Sequence, residues 1–96
     1  KVFFYFSSTC PSCAKIKPYM YFIKNKVKQV DFDFCDVSNS TTCTNESIWV
    51  AKHIGLIGVP TAVFMYKNNV TVLVGWKNVG KLGTYFNKVG INIPDI

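Results

Sequence analysis

Two cysteines three residues apart are the clearest chemical feature of the sequence. The motif Cys10-Pro11-Ser12-Cys13 follows a short apolar run and opens a helical pattern. Cysteines with this spacing on a first helical turn can close a disulfide with little backbone movement. Free N–H groups and the helix dipole at that end stabilise a thiolate at the first sulfur. Because the thiolate is the nucleophile of disulfide exchange, the motif predicts Cys10 as the attacking thiol and Cys13 as the resolving thiol.

A zinc site is the alternative interpretation of the same cysteine pair. Structural zinc needs four protein ligands, and Cys35, Cys43 and His53 are the residues that could complete the set. Their spacing does not form a second close pair. We therefore expect no metal site, and nothing in the sequence calls for another cofactor.

Cys35 and Cys43 form the second cysteine pair, at the end of a predicted strand and in a polar loop. Four cysteines are an even count, and we expect these two to form a structural disulfide rather than two free thiols. Closing this short loop contributes about 2.5 kcal/mol in the chain-entropy model. Such a bridge favours an oxidising compartment, whereas free thiols would favour the cytoplasm.

Length and composition indicate one small domain over residues 1–96. The chain is 49% hydrophobic and 16% aromatic, which excludes a disordered tail. Eleven lysines and no arginine stand against five acids, giving a net charge of +6. The lysines are spread along the chain, and arginine, the usual reader of guanine, is missing, so we expect no nucleic-acid binding. No apolar run approaches the ~18 residues that cross a membrane.

The elements that must position the cysteine motif follow from the hydrophobic periodicity. The predicted strands are 2–6, 30–35, 62–66 and 70–76, the predicted helices begin at the motif, at 48 and at 79, and residues 92–96 are expected to fray. A turn at Asn68-Asn69 joins the last two strands, because asparagine tolerates positive φ. This order, β-α-β-α-β-β-α, predicts an α/β fold. Its four-stranded mixed sheet has a parallel first pair, an antiparallel last pair and flanking helices.

Features on both sides of the motif match one known family. A strand leads into the motif, and Pro18 stands eight residues after the first cysteine. Downstream follow, in order, Gly58-Val59-Pro60-Thr61 and Val74-Gly75. In these features, and over nearly its whole length, the chain resembles the thioredoxin superfamily.

The resemblance implies the thioredoxin fold and a thiol–disulfide oxidoreductase activity. In that family the proline that matches Pro60 is cis and faces the redox pair. A proline without an N–H, next to the free backbone of Val59, suits β-type pairing with an extended client peptide. We therefore expect Pro11, Ser12, Val59, Pro60 and Gly75 to form the substrate-binding surface. The expected partners are proteins or peptides that carry a dithiol or a disulfide, together with a separate redox partner.

The sequence departs from the thioredoxin pattern at several positions. Phe4 stands where the family has a buried aspartate, and Phe32 matches the position of the nearby lysine, so the usual acid–base relay is missing. Pro11 directly after the first cysteine is similar to glutaredoxins and to periplasmic oxidants. Ile57 replaces a polar rim residue and makes the expected docking surface more apolar. The missing acid, together with the N–H groups near Ser12 and Cys13 that stabilise the Cys10 thiolate, predicts a redox pair more oxidising than that of a typical thioredoxin.

Three functions remain open on the sequence. The first is an extracytoplasmic or secreted bacterial protein of the oxidase or isomerase type, similar to the small thioredoxin-like accessory proteins of Gram-positive bacteriocin systems. The start at Lys1 without methionine favours it, because a signal peptide or anchor would be removed there. The second is a cytoplasmic thioredoxin- or glutaredoxin-like reductase, and the third is a binding module without turnover. We expect a monomer, with any membrane tether outside this chain.

Overall fold

The computed structural model describes all residues, 1–96. They form four strands and four helices joined by turns and loops. The elements are β1 (Val2–Phe6), α1 (Pro11–Lys26), β2 (Phe32–Asp36), α2 (Asn45–Ile54), β3 (Thr61–Tyr66), β4 (Asn69–Val74), α3 (Trp76–Val79) and α4 (Leu82–Lys88), with a 3₁₀ turn at Ser40–Thr42. The predicted order is confirmed, with the addition of the short helix α3, which lies between β4 and the last predicted helix. None of the helices is both long enough and apolar enough to cross a bilayer.

The sheet has the strand order β2-β1-β3-β4. Strand β1 runs parallel to β2 and antiparallel to β3, and β3 and β4 form an antiparallel hairpin. The mixed sheet predicted from the sequence is thereby confirmed. All five residues of β1 are buried, as expected for a central strand covered on both faces.

Alternation along β1 divides the core into two layers, because successive strand side chains point to opposite faces. Val2, Phe4 and Phe6 pack on one face with the apolar sides of α1 and α4. Phe3 and Tyr5 pack on the other face with a smaller cluster that includes residues of α2. The first layer contains Cys13, so the larger core directly supports the redox motif.

Several element boundaries differ from the predicted ones for local reasons. Helix α2 begins at Asn45 instead of 48, because the Thr44 hydroxyl caps it by accepting the Ser47 N–H. Strand β4 ends at Val74 instead of 76, since Gly75 has φ 90° and turns the chain into α3. Strand β2 begins at 32 instead of 30. In the hairpin turn the residue with positive φ is Lys67, at 53°, not either asparagine.

The C-terminal tail is ordered, so the prediction that residues 92–96 fray is wrong. Ile93 is buried, and the Ile96 N–H donates to the Gly80 carbonyl at 2.9 Å. A Cβ at Gly80 would collide with the Ile96 side chain, and one at Gly83 would lie 2.5 Å from the Ile93 carbonyl oxygen. Gly80 and Gly83 therefore make room for the tail.

Candidate functional site

Both cysteines of the motif belong to the first turn of α1. Cys10 is the N-cap, and Pro11 occupies the first helical position, where a missing N–H costs no hydrogen bond. The Cys13 N–H donates to Cys10 Sγ at 3.0 Å. Both thiols are free; Cys10 is partly exposed and Cys13 is fully buried. The helix end therefore directs a hydrogen-bond donor at the sulfur that solvent and clients can reach.

The buried cysteine has the opposite environment. Burial, with a smaller contribution from hydrogen bonding to Cys10, raises the pKa of Cys13 to about 11. Cys13 therefore stays protonated at neutral pH, and its thiol is a weak nucleophile until a proton is taken from it. This asymmetry agrees with attack by Cys10 and later resolution by Cys13.

The loop before β3 faces the cysteine pair. The Val59–Pro60 peptide bond is cis, and Cys10 Sγ lies 3.8 Å from the Val59 carbonyl oxygen, within reach of a weak S–H···O contact. The Gly75 N–H donates to the Pro60 carbonyl at 2.9 Å and ties this loop to the end of β4. The residues predicted from two distant parts of the sequence thus meet at one end of the sheet. Ser12 lies half-buried on the same helical turn as the cysteines.

An apolar groove beside this loop was not predicted. It has a volume of about 340 Å³. Its lining is Ile54, Gly55, Leu56, Ile57, Thr61, Val72 and Val74. Ile57 is 89% exposed at its rim, which agrees with the apolar rim expected from the sequence. The alternating valines of β4 were a signal for a strand, but they could not indicate that their outer face stays uncovered.

The core behind Cys13 contains no carboxylate. Phe4 is fully buried in the same cluster as Cys13, and Phe32 packs partly buried with its ring 6.1 Å from that of Phe86. No Asp or Glu is among the buried residues of the protein. No buried acid is therefore available to take the proton of Cys13.

The second cysteine pair is joined as a disulfide between Cys35 and Cys43. It links the buried part of β2 to the segment after the 3₁₀ turn, on the sheet face opposite the larger core. Bonded cysteines cannot serve as thiolate ligands, and no group of three or more His, Cys, Asp or Glu residues is arranged to hold a metal ion. The zinc alternative thereby loses the ligands it needed.

Comparison with known proteins identifies the fold. Neither a protein-family model nor a curated protein sequence matches the chain. Mitochondrial thioredoxin 3 of Saccharomyces cerevisiae is similar in structure, with a TM-score of 0.67 and 20% identity over 91% of this chain and 76% of its own. Thioredoxin NaTrxh of Nicotiana alata has a TM-score of 0.68 and 24% identity over 91% of this chain and 70% of its own. Thioredoxin O2 of Arabidopsis thaliana has a TM-score of 0.69 and 20% identity over 92% of this chain and 72% of its own. The chain therefore has the thioredoxin fold, as its resemblance in sequence predicts.

Proposed function

We propose that this protein is a thiol–disulfide oxidoreductase that acts as a monomer, with Cys10 as nucleophile and Cys13 as resolving thiol. The observation that carries the proposal is the hydrogen bond from the Cys13 N–H to Cys10 Sγ, 3.0 Å long, at the N-terminus of α1. A donor at that distance favours the thiolate of the accessible cysteine. The thioredoxin fold of the chain supports the same assignment.

The chemistry is two consecutive thiol–disulfide exchanges. The Cys10 thiolate attacks one sulfur of a client disulfide, forms a mixed disulfide and releases the other client sulfur as a thiolate, which takes a proton from solvent. Cys13 then gives its proton to solvent and attacks Cys10 Sγ. The Cys10–Cys13 disulfide forms, the second client sulfur leaves as a thiolate and takes a proton from solvent, and two electrons have passed to the client. The reverse sequence oxidises a client dithiol.

Client binding in this proposal uses the backbone of Val59 and the groove beside it. An extended peptide that carries the reacting cysteine would pair with the backbone of Val59, whose carbonyl oxygen lies 3.8 Å from Cys10 Sγ. Ile57 and Val74 line the adjoining groove and would contact apolar side chains near that cysteine. The clients are accordingly proteins or peptides in which apolar residues flank a disulfide or a dithiol.

Insulin reduction with dithiothreitol as electron donor tests the proposed activity. We expect catalytic amounts of the protein to accelerate insulin precipitation over the uncatalysed reaction. A Cys35→Ser/Cys43→Ser variant should keep this activity, because the disulfide that it removes lies on the opposite face of the sheet from Cys13. No acceleration by folded protein, combined with measurable peptide binding, would instead support the binding module.

We further propose that the protein oxidises its clients outside the cytoplasm. The Cys35–Cys43 disulfide is typical of an oxidising compartment. Stabilising the Cys10 thiolate stabilises the reduced pair, and about 1.4 kcal/mol of such stabilisation raises the potential by ~30 mV. Phe4 in place of an acid slows the removal of the Cys13 proton, a step that a reductase must repeat in every turnover.

We expect the Cys10–Cys13 pair to have a reduction potential at least ~30 mV above the thioredoxin value of about −270 mV. Equilibration in glutathione buffers of known ratio, followed by acid quenching and alkylation, measures the reduced fraction. The Cys35→Ser/Cys43→Ser variant removes any contribution from the second pair. A potential at or below −270 mV would favour the cytoplasmic reductase instead.

A further inference from the structure

The outward side of α1 has an apolar centre. Positions three and four residues apart share a side of a helix, and one such set faces away from the sheet. This outer strip consists of Ala14, Pro18, Tyr21, Phe22 and Asn25, all of them exposed. Tyr21 is 46% exposed and Phe22 is 44% exposed. The helix is therefore apolar on two sides, one packed in the core and one facing solvent.

Lysines border the outer strip on both sides. By the helical periodicity, Lys17 and Lys24 lie along one border, and Lys15 and Lys26 along the other. Each ammonium group stands over an aromatic ring: Lys15 over Trp76 at 5.1 Å, Lys17 over Phe6 at 4.5 Å, Lys24 over Phe34 at 5.0 Å and Lys26 over Phe22 at 5.6 Å. These contacts hold the charges at the edges of the strip, while the carbon stems cover apolar surface.

No acid neutralises these four charges by direct contact. Helix α1 contains no Asp or Glu, and the single ion pair of the protein, Lys1–Glu46, lies elsewhere. A hydrogen bond from Ser38 is the main cause that lowers the pKa of Asp36. The charge of Lys17 lowers the same pKa less, and only through space. The borders of the strip are thus open to anions outside the protein.

We propose that the outer strip of α1 binds the surface of an anionic lipid membrane. An apolar centre with aromatic side chains, bordered by lysines, is the pattern of helices that lie in the membrane interface. Tyr21 and Phe22 would enter the interface, where aromatic rings are favoured, and the lysines would reach lipid phosphates on either side. The opposite side of α1 stays packed on the sheet, so docking requires no unfolding.

Membrane binding along α1 would bring the redox site close to the bilayer without blocking it. Cys10 caps one end of the helix and contacts Val59, on a loop outside the strip. The clients reached in this position are polypeptides held at, or emerging from, the membrane surface. The inference does not depend on the proposed redox activity, because no residue of the strip belongs to the cysteine site.

A nucleic acid or an acidic polypeptide fits the strip less well. A phosphate backbone calls for cations at the centre of the contact, whereas here the centre is Phe22 and Tyr21 and the cations lie at the borders. The protein also has no arginine, the preferred residue for bidentate phosphate contacts. Binding of either polymer is therefore an outcome that would contradict the proposal.

Co-sedimentation with lipid vesicles tests the inference. We expect the protein to bind vesicles of equal parts phosphatidylglycerol and phosphatidylcholine, to bind phosphatidylcholine vesicles poorly, and to dissociate as salt rises. Lys24→Gln/Lys26→Gln should weaken binding at least ~10-fold, and Phe22→Ser should weaken it severalfold. The matched controls Lys67→Gln/Lys88→Gln and Val70→Ser remove the same charge and a comparable exposed apolar group elsewhere, and should bind like the parent protein.

Three results would overturn the inference: equal losses in the strip variants and their controls, undiminished binding by Phe22→Ser, or binding of RNA or polyglutamate with no binding of anionic vesicles. Cooperative urea unfolding of all four variants, followed by circular dichroism, would show that they are folded. Cys10→Ser protein should bind vesicles normally, which separates this test from the test of the redox activity. A Phe22→Trp reporter should show a blue-shifted emission on anionic vesicles only.

Discussion

Replacing Cys10 with serine is expected to abolish insulin reduction, down to the rate of the reaction without protein. The variant loses the only accessible thiol of the redox pair, and buried Cys13 cannot take over the attack because burial raises its pKa to about 11. Cys13→Ser should also lose turnover, but for a different reason. Cys10 can still attack a client there, and without a resolving thiol the mixed disulfide persists.

Mass spectrometry without reductant should therefore find client adducts on Cys13→Ser and none on Cys10→Ser. Limiting iodoacetamide at pH 7–8 gives an independent readout. It should label Cys10 in the Cys13→Ser variant far faster than Cys13 in the Cys10→Ser variant, because burial, the largest cause of the raised pKa of Cys13, persists there. Both variants keep the Cys35–Cys43 disulfide as an internal control. Faster labelling of Cys13 would reverse the two assigned roles.

The sequence was sufficient to predict the fold because each element has a strong local pattern. Five consecutive apolar residues in β1 predict a strand buried on both faces, and the structure confirms it. The parallel first pair and antiparallel last pair follow from the lengths of the connections between strands. The placement of Cys10 and Cys13 on one helical turn follows from their spacing.

Long-range packing is what the local patterns could not predict. Residues 92–96 are predicted to fray, yet Ile93 is buried and Ile96 packs at Gly80. Gly80 and Gly83 have low intrinsic helix propensity, and only the three-dimensional structure shows that they accommodate another segment. The boundary at Gly75 has the same origin, since the hydrogen bond from its N–H to the Pro60 carbonyl joins two segments distant in sequence.

The open groove and the outer strip of α1 also lay beyond sequence reasoning. Alternation along β4 and periodicity along α1 indicate which residues share a face, but not which face another element covers. Val72 and Val74 remain exposed because α2 contributes its core residue, Val50, to the cluster around β1 instead. Apolar residues on the outer side of α1 blur its amphipathic pattern, and the structure was needed to separate its two apolar sides.

Phe4→Ala is expected to lower the free energy of unfolding by about 3–5 kcal/mol. Phe4 is fully buried at the centre of β1, stacks on Phe6 at 5.3 Å and meets the edge of Phe34 at 5.2 Å between ring centroids. Removing the ring leaves a cavity that neighbours paired within the sheet cannot readily fill. Because domains of this size have only about 5–15 kcal/mol of stability, the melting temperature should fall by at least ~12 °C.

Urea unfolding followed by circular dichroism, with the Cys35–Cys43 disulfide intact, measures this loss. Phe22→Ala provides the matched control, since it removes the same side chain from an exposed position and should cost less than about 1 kcal/mol. Phe4→Leu keeps most of the volume and should recover much of the stability. It should also reduce insulin at the parental rate, because neither phenylalanine nor leucine can accept the Cys13 proton. A loss below 1 kcal/mol in Phe4→Ala would contradict the central position of this ring, and a slower Phe4→Leu enzyme would contradict its purely apolar role behind Cys13.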